Sequence, residues 1–360
     1  MVNSNGISSI GRLLDAMGMS ARYFDLGRHI QELDERLFRE VEDLKRPYPA
    51  PYLHQAWLGL LFWDPQTPEL PLLWFLRFPL DEQGLLVPSE RDRFLQQLLT
   101  AIGGNLEVLQ AAKDDSLSDN EESGKQLAAV LEGNPFVFKP TPERQAAVHA
   151  RVSKLLKLPP SQYYTAASDY LRGELSQWQH LGVQGLADVA VEWHNHQTEL
   201  IKAMVDMPNR PLTSLCLCLE NESVNGALGK ALQGRLVHEI EKDEQPDIEL
   251  VAALIRALSQ CQALELRQRT LLRVLHSNAA EYIEVLAAIA TRCPQDLCDT
   301  TLGLGLLEAI SRHGQDSFNR VLSDLLFIPA IRPHILTLFR HPERSPELVA
   351  AIGGLLNPSQ

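Results

Sequence analysis

From residue 181 to residue 356, apolar positions recur at helical spacing in blocks of about 10–15 residues, separated by short polar breaks. Residues 247–261 and 279–293 match at a shift of 32. Val251, Leu254, Leu258 and Cys261 fall on Ile283, Leu286, Ala290 and Cys293. The next helix matches too, with Leu272 and Leu275 falling on Leu304 and Leu307. A looser third copy has Leu322 and Leu338 in the equivalent places, and a weaker earlier copy spans 212–236. The acidic stretch 239–249 reads as an insertion between copies. Each unit is a helical hairpin that cannot bury its own apolar face and must stack on a neighbour. The pattern predicts an all-α helical-repeat domain, a HEAT-like α-solenoid. A non-repetitive helical bundle is the alternative.

The first half has a different texture. Residues 8–17 predict a short helix with serine at its cap. Ile30, Leu33, Leu37, Phe38, Val41 and Leu44 form an amphipathic stripe that predicts a helix over 26–44, ended by Pro47, Pro49 and Pro51. Residues 56–63 (AWLGLLFW) and 72–80 (LLWFLRFPL) are aromatic and short, and read as strands with both faces covered. A turn at 80–85, with Gly84 supplying a positive φ, would return a third strand over 85–87. A helix then follows from Pro88 to about residue 102. Residues 114–124 (DDSLSDNEESG) read as a loop, 135–138 (PFVF) as a short edge strand, and 141–156 as a further helix. Pro159 and Pro160 mark a hinge. The expected division is therefore an α+β domain over 1–158, with a small antiparallel sheet, and a helical-repeat domain over 159–360.

Four stretches carry a family resemblance: residues 23–31 (YFDLGRHIQ), 74–86 (WFLRFPLDEQGLL), 134–140 (NPFVFKP) and 182–190 (GVQGLADVA). They resemble a family found in gammaproteobacteria and known only as a domain of unknown function. The resemblance implies a soluble bacterial protein. It brings no activity, cofactor or site residue with it.

Composition narrows the partners. The chain carries 33 Lys and Arg against 46 Asp and Glu, a net charge of −13, which disfavours general binding to phosphate backbones. The charge is uneven. Residues 161–300 hold 11 basic and 19 acidic side chains, whereas 301–360 hold five of each. Five cysteines, none in a C-x-x-C pair, lie in apolar helical contexts and suggest a reducing compartment. No stretch reads as a signal peptide or a membrane span, so a cytoplasmic protein is expected.

Four groups of residues are candidates for chemistry. Arg267, Arg269 and Arg273, with His276, fall on one second helix of the repeat and would suit an acidic partner or a phosphate. Arg332, His334, Arg340, His341 and Arg344 cluster near the C-terminus. Asp25 and Arg28 sit where the 26–44 helix would begin, with Asp25 as its cap. With them, Arg77, the lone charge in an apolar strand, would need a carboxylate from Asp25, Asp81 or Glu82 if buried. On one continuous helix Glu192, His196 and Glu199 would share a side and form the only metal candidate. No phosphate-loop, dinucleotide or nucleophile-elbow motif occurs. The sequence thus points to a non-enzymatic protein-interaction scaffold or adaptor without a cofactor. Its expected partner is a protein, with a homodimer through the N-terminal unit as a further expectation. Nucleic-acid binding by a basic strip and a metal-dependent enzyme using Glu192, His196 and Glu199 are the alternatives.

Overall fold

In the computed structural model, which describes residues 8–103, 133–173 and 175–356, two compact units divide between Pro140 and Thr141. The expected loop at 114–124 lies outside the described residues. Sixteen α-helices and a four-stranded antiparallel sheet account for the regular structure among those residues.

The first unit is built on strands β1 (Ser20–Asp25), β2 (Gln31–Leu33), β3 (Gln55–Trp63) and β4 (Leu72–Pro79), in the order β2-β1-β3-β4. Ser20 stands opposite Trp63, and Gln55 opposite Pro79. β3 and β4 are the two strands expected from the sequence, and their period-two alternation explains the burial. Trp74, Leu76 and Phe78 are buried, Phe75 is half-buried and Arg77 is exposed. The second face of β4 is therefore only partly covered. Helices α1 (Ile10–Ala16) and α2 (Glu35–Glu42) pack on β1, and α3 (Pro88–Gly103) on β4. Tyr23 stacks on Phe38 at 3.9 Å, and Phe94 meets Phe78 edge-on at 5.4 Å.

The expected helix over 26–44 is corrected. Only 35–42 is helical, capped by Asp34, whose side chain accepts a bond from Leu37 N. The stripe is real as burial but not as helix: Ile30 and Leu33 reach the core from a turn and a strand. Leu26 lies against Gly59 on β3, where an added Cβ would come within 3.0 Å of it. The third strand reduces to one bridge between Leu80 and Leu86. Gly84 does adopt φ +79°, with Asp81 accepting from Gln83 N and Leu85 N. The 135–138 segment borders β4, with Val137 bridging Leu76.

The second unit begins with α4 (Pro142–Leu155), capped by Thr141. The division thus precedes this helix, which the sequence grouped with the first unit. It is bonded within the second: Gln184 Nε2 donates to the Ala146 backbone carbonyl of this helix, whose Lys154 side chain donates to the Val191 carbonyl. There follow α5 (Tyr164–Arg172), α6 (Val183–Val191), α7 (Gln197–Asp206), α8 (Asn209–Leu219), α9 (Gly226–Glu241), α10 (Ile248–Leu258), α11 (Leu264–Leu275), α12 (Ile283–Arg292), α13 (Thr300–Ser311), α14 (Gln315–Leu326), α15 (Arg332–Leu338) and α16 (Pro346–Leu356). Alternate helices pack on one another. The even-numbered series α6, α8, α10, α12, α14, α16 forms one row, and the odd-numbered series α5 to α15 forms a second. Even-row helices from α8 onward begin at 209, 248, 283, 315 and 346, a spacing that narrows from 39 to 31 residues. Fully buried leucines such as Leu254, Leu286, Leu306 and Leu322 fill the space within this unit. Each contributes roughly 1.5–3 kcal/mol by leaving water. Among the described residues, no helix is long and apolar enough to cross a membrane, and all five cysteines are free thiols.

Candidate interaction surface

The four residues singled out on α11 part company in the structure. Arg267 turns inward. Its Nε and Nη2 donate to both oxygens of Asp296, at 2.8 and 3.0 Å, and Nη1 donates to the Cys261 carbonyl at 2.6 Å. Asp296 sits in the 3-10 turn Pro294–Cys298 and is buried. Burial works against the Arg267 charge, but the hydrogen bonds and field of Asp296 override it and raise the guanidinium further. Arg269, Arg273 and His276 face solvent. Arg269 meets Glu265 one turn earlier at 3.2 Å, and Arg273 donates to Glu241 at the end of α9 at 2.7 Å. The outer surface of α9 and α11 is thus a mixed-charge face in which Arg269 and Arg273 already stand beside carboxylates.

Asp25, Arg28 and Arg77 do not form one pocket. Asp25 is buried at the end of β1, where its Oδ1 accepts from the Tyr48 hydroxyl at 2.6 Å and from Gly27 N. It caps no helix. Burial, reinforced by Asp25, pushes the Tyr48 phenol well above its ordinary range. Arg28 donates to the Pro51 carbonyl, and its guanidinium lies 5.4 Å from the Tyr52 ring centre. These residues form a buried polar core beneath a tight turn. Tyr52 and Gln55 bond to each other in both directions across Leu53 and His54, whose φ angles are 51° and 58°. Two successive non-glycine residues in the left-handed region cost on the order of 1–3 kcal/mol each. Arg77 lies apart from them, exposed, with its guanidinium 5.7 Å from the Trp57 ring centre. The expected buried ion pair is absent because the charge is not buried.

The metal candidate disperses. The chain is not one helix from Glu192 to Glu199: α6 stops at Val191, a 3-10 turn spans Trp193–His196, and α7 starts at Gln197. The i, i+4, i+7 geometry is lost with it. Glu192 pairs with Lys154 at 3.2 Å, and Glu199 with Arg172 at 3.6 Å. His196 is buried, with Nε2 2.8 Å from the Tyr164 hydroxyl, and burial lowers its proton affinity. Among the described residues, no three His, Cys, Asp or Glu side chains gather closely enough to hold a metal ion. Of the C-terminal basic residues, Arg332 and Arg344 serve helix ends, whereas His334 and Arg340 are exposed. Arg332 donates to the Leu326 carbonyl, and Arg344 to those of His341 and Phe339.

The largest charge cluster among the described residues escaped the sequence. Glu220, just past α8, is buried and receives three arginines: Arg144 of α4 at 2.9 Å, Arg292 of α12 at 3.0 Å and Arg256 of α10 at 3.8 Å. Burial alone would raise its carboxyl. The fields of Arg292, Arg144 and Arg256 overcome that and bring it down to about 2. One signal was legible: Arg256 and Arg292 occupy the last turn of successive even-row helices. Their shared partner, 36 and 72 residues upstream, was not.

The whole described chain, sheet and helices together, also matches a single family model. The chain belongs to the family described as "Protein of unknown function (DUF3549)". The match covers residues 5–356 and so spans both compact units. No curated protein and no solved structure is significantly similar to it. The family therefore supplies a boundary, sheet plus helical rows as one inherited whole, and no activity.

Proposed function

We propose that the protein is a non-enzymatic interaction scaffold or adaptor, and that its helical unit is a HEAT-like α-solenoid presenting the outer face of the odd-numbered row to a protein partner. The observation that carries this is the alternation of packing. Each helix from α7 to α14 touches the helix two places before and two places after it, so both rows extend by repetition. Such an array gives an extended surface. The α9–α11 part of it mixes exposed Lys230, Arg269 and Arg273 with Glu241 and Glu265, which would form the polar rim of an interface. The buried ion pairs of Arg267 and Glu220 fix the stacking of the rows and leave the exposed charges for recognition. The proposal includes the cytoplasm as the working compartment, supported by five unpaired thiols.

Crosslinking of the full chain in cell lysate, read by mass spectrometry, tests it. A protein crosslinked to α9 and α11, and lost when Arg269 and Arg273 both become Glu, is the expected result. Crosslinks confined to the first unit would overturn the assignment of the surface. Retention on DNA or RNA that weakens steeply with salt would favour the nucleic-acid reading instead.

A further inference from the structure

The exposed charge of the second unit is sorted by row. Exposed ionic side chains on the odd-numbered helices α5 to α15 are six basic and four acidic, and on the even-numbered helices α6 to α16 two basic and four acidic. The even-row carboxylates Glu249, Glu284, Asp316 and Glu347 each lie in the first turn of a helix, where its dipole favours them. That account does not extend to the odd row, because Lys202 and Lys230 sit outside the last turn, where a dipole would favour a cation. Three of the odd row's four exposed carboxylates are held by its own arginines: Asp169 by Arg172, Glu241 by Arg273 and Glu265 by Arg269. Exposed pairs of this kind contribute about 1 kcal/mol or less and are easily exchanged. Lys202 and Lys230 enter no ion pair among the described residues. The same row also exposes aliphatic side chains: Val205 on α7, Leu264 on α11 and Leu336 on α15 are 68%, 50% and 44% accessible. Val205 follows Lys202 by three residues and Leu336 follows Arg332 by four, so each shares a helix face with a cation.

We propose that the outer face of the odd-numbered row binds an acidic protein segment with apolar side chains spaced among its carboxylates. The proposal rests on the scaffold reading above and names the class of its partner. Charge selects that class: the odd row is the one with a surplus of exposed cations, whereas a basic segment would be better met by the even row. The net charge of −13 does not cancel this. At physiological salt a field decays over about 8 Å, close to the roughly 8–10 Å between packed helix axes, so a ligand on the odd row feels that row first. Spacing distinguishes a protein segment from a nucleic acid. Cations on successive helices of the row stand about 8–10 Å apart, whereas phosphates recur every ~3.4 Å along a strand. Among the described residues, α7, α9, α11, α13 and α15 also offer no exposed or half-buried aromatic ring on which a base could stack. Aliphatic positions one turn from a cation instead match a chain that alternates acidic and apolar residues. Because exposed charge pairs are individually weak, the affinity is micromolar.

Selection of random peptides on the immobilised full chain tests the class of partner. Enrichment of sequences that combine Asp or Glu with Leu, Ile or Phe is the expected result. In solution the enriched peptide should lose at least about tenfold in affinity for a Lys202→Glu, Lys230→Glu double variant whose melting is unchanged. Arg320→Glu, on the even row, should leave its affinity within about twofold. Enrichment of basic or uncharged peptides would overturn the proposal, as would no enrichment, or an acidic peptide whose affinity the double variant leaves intact. Oligothymidine bound more tightly than the peptide would overturn it in favour of a nucleic acid. A lysate protein crosslinked to α9 and α11 through a neutral or basic segment would sink the acidic partner and leave the scaffold reading standing.

Discussion

Glu220 and Arg292 stand 72 residues apart and meet at 3.0 Å, both almost wholly removed from water. Arg144 and Arg256 approach the same carboxylate, so α4, α10 and α12 are tied to one point at the end of α8. Removing the carboxylate leaves buried guanidiniums around a neutral group. Glu220→Gln is expected to destabilise the second unit by about 3–5 kcal/mol. Exposed pairs should matter far less: Arg172→Ala, which breaks the 3.6 Å contact with Glu199, should cost no more than about 1 kcal/mol. Urea unfolding followed by circular dichroism measures both. Equal losses would show that the Glu220 cluster is not special.

The same contrast separates the arginines of α11. Arg267 makes two parallel bonds to Asp296 and a third to a carbonyl, a geometry that an ammonium group cannot reproduce. Arg267→Lys should cost about 1–3 kcal/mol. Arg269→Lys, at an exposed pair, should shift stability by less than about 0.5 kcal/mol. Thermal melts of the two variants side by side decide this.

The two strands β3 and β4 and most of the helices were legible because their apolar periods are long and local. Where the sequence misled, a distant contact had overridden a local pattern. Leu26, Ile30 and Leu33 sit at spacings of three and four, yet Gly27 turns the chain against Tyr52, where a Cβ would lie 3.0 Å from the tyrosine Cβ. Nothing within the 26–44 segment announces that contact. Arg267 and Arg269 look alike in sequence, and only the position of Asp296, 29 residues on, makes one structural and the other exposed. The metal candidate fails for a local reason: the chain does not run as one helix through Trp193–His196 but takes a tighter turn there.

Two glycines inside helices should respond oppositely to alanine. Gly303 on α13 faces the Leu297 carbonyl, which a Cβ would meet at 2.6 Å, and backbone cannot step aside. Gly303→Ala is expected to cost about 1–3 kcal/mol through overpacking. Gly234 on α9 is exposed, with nothing within 4 Å of a built Cβ. Gly234→Ala should gain about 0.5–1 kcal/mol from helix propensity and reduced chain entropy. Opposite shifts in melting temperature are the expected outcome, and a gain at Gly303 would show that α13 can move away from the turn before it.

Glu42 gives the first unit a pH dependence of unusual sign. Its buried carboxylate accepts from Ile10 N at 2.7 Å and Gly11 N at 3.0 Å, holding the start of α1 against α2. Burial pushes its carboxyl up to about 7, against the opposing pull of those two N–H groups, of Arg39 and of Ser9. Tyr23 on β1 and Arg39 on α2 act on it through their fields, and Arg91 of α3 donates to the Glu42 backbone carbonyl. A carboxyl raised in the folded state binds its proton more tightly there than in the unfolded chain. The stabilisation is therefore complete below the unfolded value near 4.5 and is lost as pH rises through about 7. The difference corresponds to roughly 3 kcal/mol. Hydrogen exchange at α1 should accelerate between pH 5 and pH 8 beyond the intrinsic base-catalysed increase. Glu42→Gln, neutral at both values, should hold the corrected protection constant. Protection that does not change with pH in the wild-type chain, once corrected, would show that the two backbone N–H bonds outweigh burial and keep Glu42 ionised.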